Sequence, residues 1–237
     1  MTAAWAIFRK ELRVYLVSPL ATVFLATFLF LAGLFFYLGI SMSGEASLRI
    51  MMGNLSIALM FLLPMLTMRH FAEEHRSGTL ELLMTAPIPL WALLLGKWAA
   101  TVALCLMLLV GTLLFPAILA YYGDPDWGVI ATSYLGLALC CIAFVAAGMF
   151  ASSLTDEPVT AGIVGVLMLL PFWLAGTASE MVEAVWARNV LRELSLIGHV
   201  DGFSRGIVDS ADVVWFLLFT FSFLFLTWRS VESRRWR

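Results

Sequence analysis

Charge is scarce in this sequence, and that scarcity excludes the commonest class of protein. Asp, Glu, Lys and Arg make up 13% of the 237 residues, against 62% hydrophobic residues and a mean hydropathy of +0.96. Soluble domains carry roughly 25% charged residues, so a soluble globular fold is excluded. Positive charge is not in excess either: the formal net charge is -2. Nucleic acid is therefore not an expected partner. Cysteines number three, Cys105, Cys140 and Cys141, all inside apolar runs. They form neither a disulfide framework nor a metal pattern and read as small buried packing residues. A nucleotide loop is missing as well. Gly96-Lys97 is followed by Trp98 where a hydroxyl residue belongs, and Trp91 stands where the first glycine should be. ATP and Mg have no expected site on this chain, and no cofactor is expected to be bound by it.

Two further absences narrow the function. His70 and His75 bracket Glu73 and Glu74, but the spacing is one residue too long for a zinc protease. Five helical steps set the imidazoles about 140° apart, which one metal ion does not bridge. Gly78 also occupies the position where a prenyl-protease-type arginine would fall, so an intramembrane hydrolase is disfavoured. No ionisable residue falls deep inside an apolar stretch as the spans are read here. A proton relay or ion-coupled carrier is expected to bury one, so secondary transport is disfavoured too. No cleavable leader is expected, because the first apolar run follows the Arg9–Arg13 cluster and outlasts an h-region.

What the sequence does contain is six apolar stretches of membrane-spanning length. Ala3–Val17 precedes them as an amphipathic helix, with Trp5, Phe8, Leu12, Tyr15 and Leu16 on one face and Arg9, Lys10 and Arg13 on the other. Such a segment lies in the membrane interface. Ser18-Pro19 breaks it, and a span from about Leu20 to Ile40 follows, near the ~20 residues a bilayer requires. A second lies between Arg49 and Arg69, with Pro64 as a kink. The third starts after Lys97 and runs to about Tyr121, interrupted by Pro116. Asp124-Pro125-Asp126 makes a polar turn into a fourth, Trp127 to Leu154, rich in small residues (Gly136, Ala138, Ala143, Ala146, Ala147, Gly148, Ala151). Small residues let helices approach closely in lipid, so the fourth is expected inside the bundle. The fifth ends near Gly176, and the sixth covers Val213 to Trp228. The fold class is all-α integral membrane, a single domain over 1–237.

Charge sets the orientation. The N-terminal helix holds three of the fourteen Lys and Arg residues, the Arg69–Lys97 loop three and the C-terminal tail four. Both termini and that loop are expected to be cytoplasmic by the positive-inside rule, in a multi-pass protein of the cytoplasmic (inner) membrane. The loop also holds a helix-start signal. Arg76-Ser77-Gly78 offers an N-cap, Glu81 falls in the first turn, and Leu80, Leu83 and Met84 share one face. Pro87 and Pro89 stop the helix. On the opposite side, Gly206 permits a turn before the last span, and Arg205 is placed to pair with Asp209.

Three stretches resemble a known family. EEHRSGTLELLMTAPIPLWALLLGKW resembles the loop of ABC-2-type permeases, nearest the gliding-motility-associated branch, where E-E-x-R-S-G-T-x-E-x-L-x-x-x-P recurs. FRKELRVYLVSPLATVF and HVDGFSRGIVDSADVVWF resemble the same branch and sample the two ends of the chain. The resemblance implies the transmembrane half of an ABC transporter, an exporter rather than an enzyme, with an interfacial helix at 1–18. A coupling helix at 76–87 would contact a separate ABC ATPase subunit that carries ATP and Mg. The residues matching it are Glu73, Glu74, Arg76, Ser77, Gly78, Thr79, Leu80, Glu81, Leu83 and Met84. An extracellular helical connection is implied at 177–212, carrying His199, Phe203, Ser204, Arg205 and Gly206; the apolar-polar mix of this last part is itself read as dipping toward the outer leaflet. A second permease half, identical or homologous, and membrane lipids complete the expected partners, with the first, second and fifth spans near the pairing interface. A membrane scaffold that anchors an ATPase without moving a solute is the alternative.

Overall fold

The computed structural model describes residues 3–43, 47–78 and 89–234. Among the described residues the chain is helical throughout, without strands. The helices in order are α1 Ala3–Val17, α2 Pro19–Ser43, α3 Arg49–Thr67, α4 Arg69–Arg76, α5 Leu90–Gly111 and α6 Leu114–Tyr122. They continue as α7 Trp127–Leu154, α8 Pro158–Met181, α9 Val185–Leu194, α10 Leu196–Ser204 and α11 Ser210–Arg234. Six of the resulting rods are long and apolar enough to cross a membrane: α2, α3 with α4, α5 with α6, α7, α8 and α11.

Local chemistry sets most boundaries. Pro19 opens α2 at the position where a missing N–H costs nothing, so the chain breaks at Ser18-Pro19 as the sequence implies. Asp126 caps α7, its carboxylate accepting from the amides of Gly128 (2.9 Å) and Val129 (3.3 Å). The interruption assigned to Pro116 falls four residues earlier, at Thr112-Leu113. A proline ring clashes with the carbonyl four residues back, which here is that of Thr112. Thr112 satisfies the turn itself, donating its hydroxyl to the Leu109 carbonyl at 2.7 Å.

α7 is the axis of the molecule. It contacts α3, α4, α5, α8, α10 and α11, and its small residues make the close approaches. Gly136 lies under Phe203 of α10, where a Cβ would come within 2.8 Å of the phenylalanine Cβ. Gly148 faces Thr67 and Pro64 of α3. On α8, Gly165 receives the Pro64 ring, with 2.8 Å between the proline Cβ and an added Cβ. All three cysteines are buried and free.

One expected boundary and one expected face are corrected. The third span begins at Leu90, not after Lys97, so Lys97 lies inside α5 with 3% of its side chain exposed. An ionisable residue thus lies within the helix of the third span, near its Leu90 end, where the expected boundary placed it in the loop. α1 also packs differently from the face drawn by composition. Its Ala4, Ile7, Phe8, Glu11, Leu12 and Tyr15 turn inward and it packs chiefly on α5, while Trp5 and Leu16 stay exposed. Gly96 is the reason: a Cβ there would sit 2.9 Å from the Ala4 carbonyl and from Ile7, so the missing side chain admits the α1 backbone.

Candidate functional site

Three helices each bring a pair of polar residues four apart to one point. Such a spacing puts both side chains on the same helix face. α1 supplies Glu11 and Tyr15, α4 His70 and Glu74, and α5 Lys97 and Thr101. The Lys97 ammonium is the hub. It donates to Glu74 Oε1 at 2.6 Å and to the His70 carbonyl at 3.0 Å, and lies 3.6 Å from Glu11 Oε1. One ammonium thus faces two carboxylates, each side chain only 16% exposed. Their desolvation is offset only because they meet. The stem of Lys97 passes Phe71, whose ring centre is 5.5 Å from Nζ.

His70 extends the network. Its Nδ1 lies 2.9 Å from the Thr67 carbonyl, which only accepts, so Nδ1 carries the proton. Nε2 meets the hydroxyls of Thr101 (2.8 Å) and Tyr15 (3.1 Å). In a neutral ring it accepts from one of them. Burial pushes the Tyr15 phenol well above its ordinary range, so it remains a donor at physiological pH. A cavity of ≈ 420 Å³ opens beside the cluster, with Lys10, Arg69 and Glu73 on its wall. Among the described residues no group of His, Cys, Asp and Glu is arranged to hold a metal.

The α3–α4 junction below this cluster is closed from outside. Where α3 ends at Thr67, the amides that start α4 lose their helical partners. Ser152 of α7 takes them: its Oγ accepts from Phe71 N (3.0 Å) and Ala72 N (3.1 Å) and donates to the Met68 carbonyl (2.9 Å). Ser152→Ala strands two buried amides and is expected to cost about 1–3 kcal/mol, read as a lowered melting temperature of the purified chain. Ser152→Thr, which keeps the hydroxyl, is the control; equal melting of the alanine variant and the parent would remove this cap from the account.

The residues singled out in the loop divide. Thr79, Leu80, Glu81, Leu83 and Met84 lie outside the described residues, and with them most of the expected helix at 76–87. Glu74 is turned inward to Lys97, while Glu73 is exposed beside Arg69 at 3.9 Å. Arg76 is the exposed last residue of α4. Ser77 closes α4: its amide donates to the Glu73 carbonyl and its hydroxyl to that of Glu74. Gly78 follows at φ +69°, the left-handed turn that ends helices. Spacing alone does not reveal the cluster, because α1 and α5 are brought together only by packing. An i, i+4 polar pair at the start of an apolar run, Lys97 with Thr101, was the available signal.

At the other end of the bundle, α9 and α10 form the helical connection. Phe203 is fully buried between α7 and α11, and its carbonyl accepts from Thr132 Oγ1 at 2.8 Å. Ser204 is buried and bonds back to the Val200 carbonyl. His199 stacks on Trp215 with 4.6 Å between ring centres, and its Nδ1 lies 2.6 Å from Asp212. Gly206 takes φ +85°, the turn expected of it. Arg205 is a correction: it pairs with Asp201 one helical turn back, not with Asp209. Asp209 instead caps α11 through the Ala211 amide. Asp201 also accepts from Arg49 of α3 at 3.1 Å. Partial burial would raise its carboxyl, but the hydrogen bonds from Arg205 and Arg49 outweigh it and hold the group below the usual range.

Residues 41–228 match the family described as ABC-2 family transporter protein. Over 149 residues the chain is 29% identical to the probable multidrug ABC transporter permease YbhR of Escherichia coli (strain K12), covering 61% of this chain. The same protein from Escherichia coli O157:H7 matches equally. The aligned stretch spans 40% of the length of these curated relatives.

Proposed function

This chain belongs to the ABC-2 family of transporter proteins, and from that premise we propose that it is the permease subunit of an ABC exporter driven by a separate ATPase subunit. It is an all-α, multi-pass membrane protein. The exporting direction, the inner membrane, the cytoplasmic termini, the ATPase and a second permease half are parts of the proposal.

One observation supports a coupling role for the loop. The segment 79–88 is held at both ends by helices that the Lys97 cluster ties together, α4 through Glu74 and α5 through Lys97 itself. A push on the segment is delivered to α4 and α5 jointly, and through Glu11 to α1. Leu80, Leu83 and Met84 would give an ATPase an apolar face to grip, worth about 25 cal/mol per Å² buried.

The test uses the full chain co-expressed with its ATPase and reconstituted in liposomes. Glu81→Lys and Leu83→Asp are expected to leave membrane insertion intact yet release the ATPase, or to cut transport-linked ATP hydrolysis at least tenfold. Unchanged assembly and turnover in both variants would remove the segment from the mechanism. An ATPase that binds and turns over without moving any solute would favour the scaffold reading.

A further inference from the structure

A second cavity, of ≈ 450 Å³, opens between α3 and α10 at the end of the bundle remote from Lys97. Its wall is aliphatic, from Ile50 and Ile57 on α3 and from Ile197 and Val200 on α10. Arg49 and Asp201 stand in the lining as the charged groups. An apolar trough with a few polar groups is the usual form of a small-ligand site.

Gly53 makes the cavity more than a gap between helices. A glycine inside a helix costs about 1 kcal/mol relative to alanine, so a packing reason is expected for it. Gly96, Gly136, Gly148 and Gly165 each have one, since a Cβ would collide with a neighbouring helix. At Gly53 an added Cβ meets nothing within 4 Å. The missing side chain there admits no helix; it keeps space open, and Gly53 lines the cavity.

Positive charge is in surplus around Asp201 among the described residues once Arg205, which lies outside the cavity lining, is counted with Arg49. Asp201 is shared by two guanidiniums, Oδ1 accepting from Arg49 and Oδ2 pairing with Arg205. Two cations and one carboxylate leave one positive charge. Arg49 places one of its five N–H donors on Asp201, and half of its side chain is exposed. The remaining fork suits a phosphate or carboxylate, which arginine grips bidentately.

The geometry points to a binding site for an amphipathic anion, its acidic head on Arg49 and its alkyl part along the Ile50–Ile57 wall. The inference deepens the permease reading and rests on it only for regarding the ligand as cargo. A bilayer phospholipid and a free amphiphile share this chemistry.

Binding of radiolabelled dodecyl phosphate to the full chain, in nanodiscs of phosphatidylcholine, tests it without the ATPase. Arg49→Gln and Gly53→Leu are each expected to weaken binding at least tenfold, the first by removing charge and the second by filling the wall. Arg49→Lys restores part of the affinity, and dodecyltrimethylammonium does not compete. Since Gly53 has open space, Gly53→Leu is expected to melt like the parent; if it does not fold, Arg49→Gln carries the test alone. Phosphatidylglycerol in the disc competing with the probe assigns the site to a bilayer lipid, and no competition assigns it to a free amphiphile; both keep the site. Full binding by Arg49→Gln, or competition by inorganic phosphate as strong as by dodecyl phosphate, overturns it. A chain that binds the probe but captures no ATPase would sink the permease reading and leave the site standing. One that captures the ATPase and ignores the probe does the reverse.

Discussion

Lys97→Met is expected to lower the stability of the folded chain by about 3–5 kcal/mol, the cost of removing one partner from a buried ion pair. Methionine keeps most of the stem volume and the contact with Phe71. It leaves Glu74 and Glu11 turned toward the same place with no cation between them, and takes the donor from the His70 carbonyl. Melting of the purified chain in a mild detergent measures the loss. Glu11 keeps Lys10 at 3.6 Å, so adding Glu74→Gln to Lys97→Met removes the stranded charge and is expected to recover more than half of the loss. A single variant that melts with the parent would show that the cluster is hydrated and not a clamp. A double variant no better than the single one would show that the loss is packing, not charge.

Gly148→Val is expected to prevent α3 from seating on α7, at a cost upwards of about 3 kcal/mol, beyond the usual range for overpacking. An added Cβ would overlap the Thr67 hydroxyl, with the Thr67 Cβ at 3.2 Å and the Pro64 Cα at 3.4 Å. The obstacle beyond the hydroxyl is thus the α3 backbone at Pro64, and it has nowhere to go. Gly148→Ala collides mainly with the hydroxyl, so Thr67→Ala is expected to rescue it; valine, whose methyl groups reach the backbone, stays unrescued. The yield of monodisperse protein and the melting temperature read both outcomes. Gly148→Val that folds like the parent would mean that α3 and α7 are free to separate.

Much of the fold was legible because the membrane imposes strict local rules. Length and hydropathy mark every span, and α1 and α7 have the bounds their residues imply. Backbone groups in lipid must be satisfied within the helix, so helix existence follows from composition alone. The errors share a cause. Lys97 reads as the edge of a loop because a lysine at the border of an apolar run usually snorkels to water. Here α1 covers it, which Gly96 allows by letting the backbones touch, and Glu11 and Glu74 supply the counter-charge. Arg205 reads as a partner for Asp209 by proximity beyond the turn, yet Asp201 lies one turn back on the same helix face and Asp209 is occupied as a cap.

The sequence alone determined the class, the six spans, the polar turn into α7, the glycine turn at Gly206 and the resemblance to ABC-2 permeases. These depend on periodicity, on the cost of charge in lipid and on local backbone geometry, all written within about twenty residues of each other. Only the tertiary structure decided that Glu11, His70, Glu74 and Lys97 form one cluster, that Ser152 caps a helix more than eighty residues before it in the chain, and that Gly53 opens a cavity where Gly148 closes a contact. A glycine carries no sign of which it will do, and a carboxylate no sign of which ammonium it will meet. Both are settled by which helix lies opposite, and that is a property of packing between segments distant in sequence.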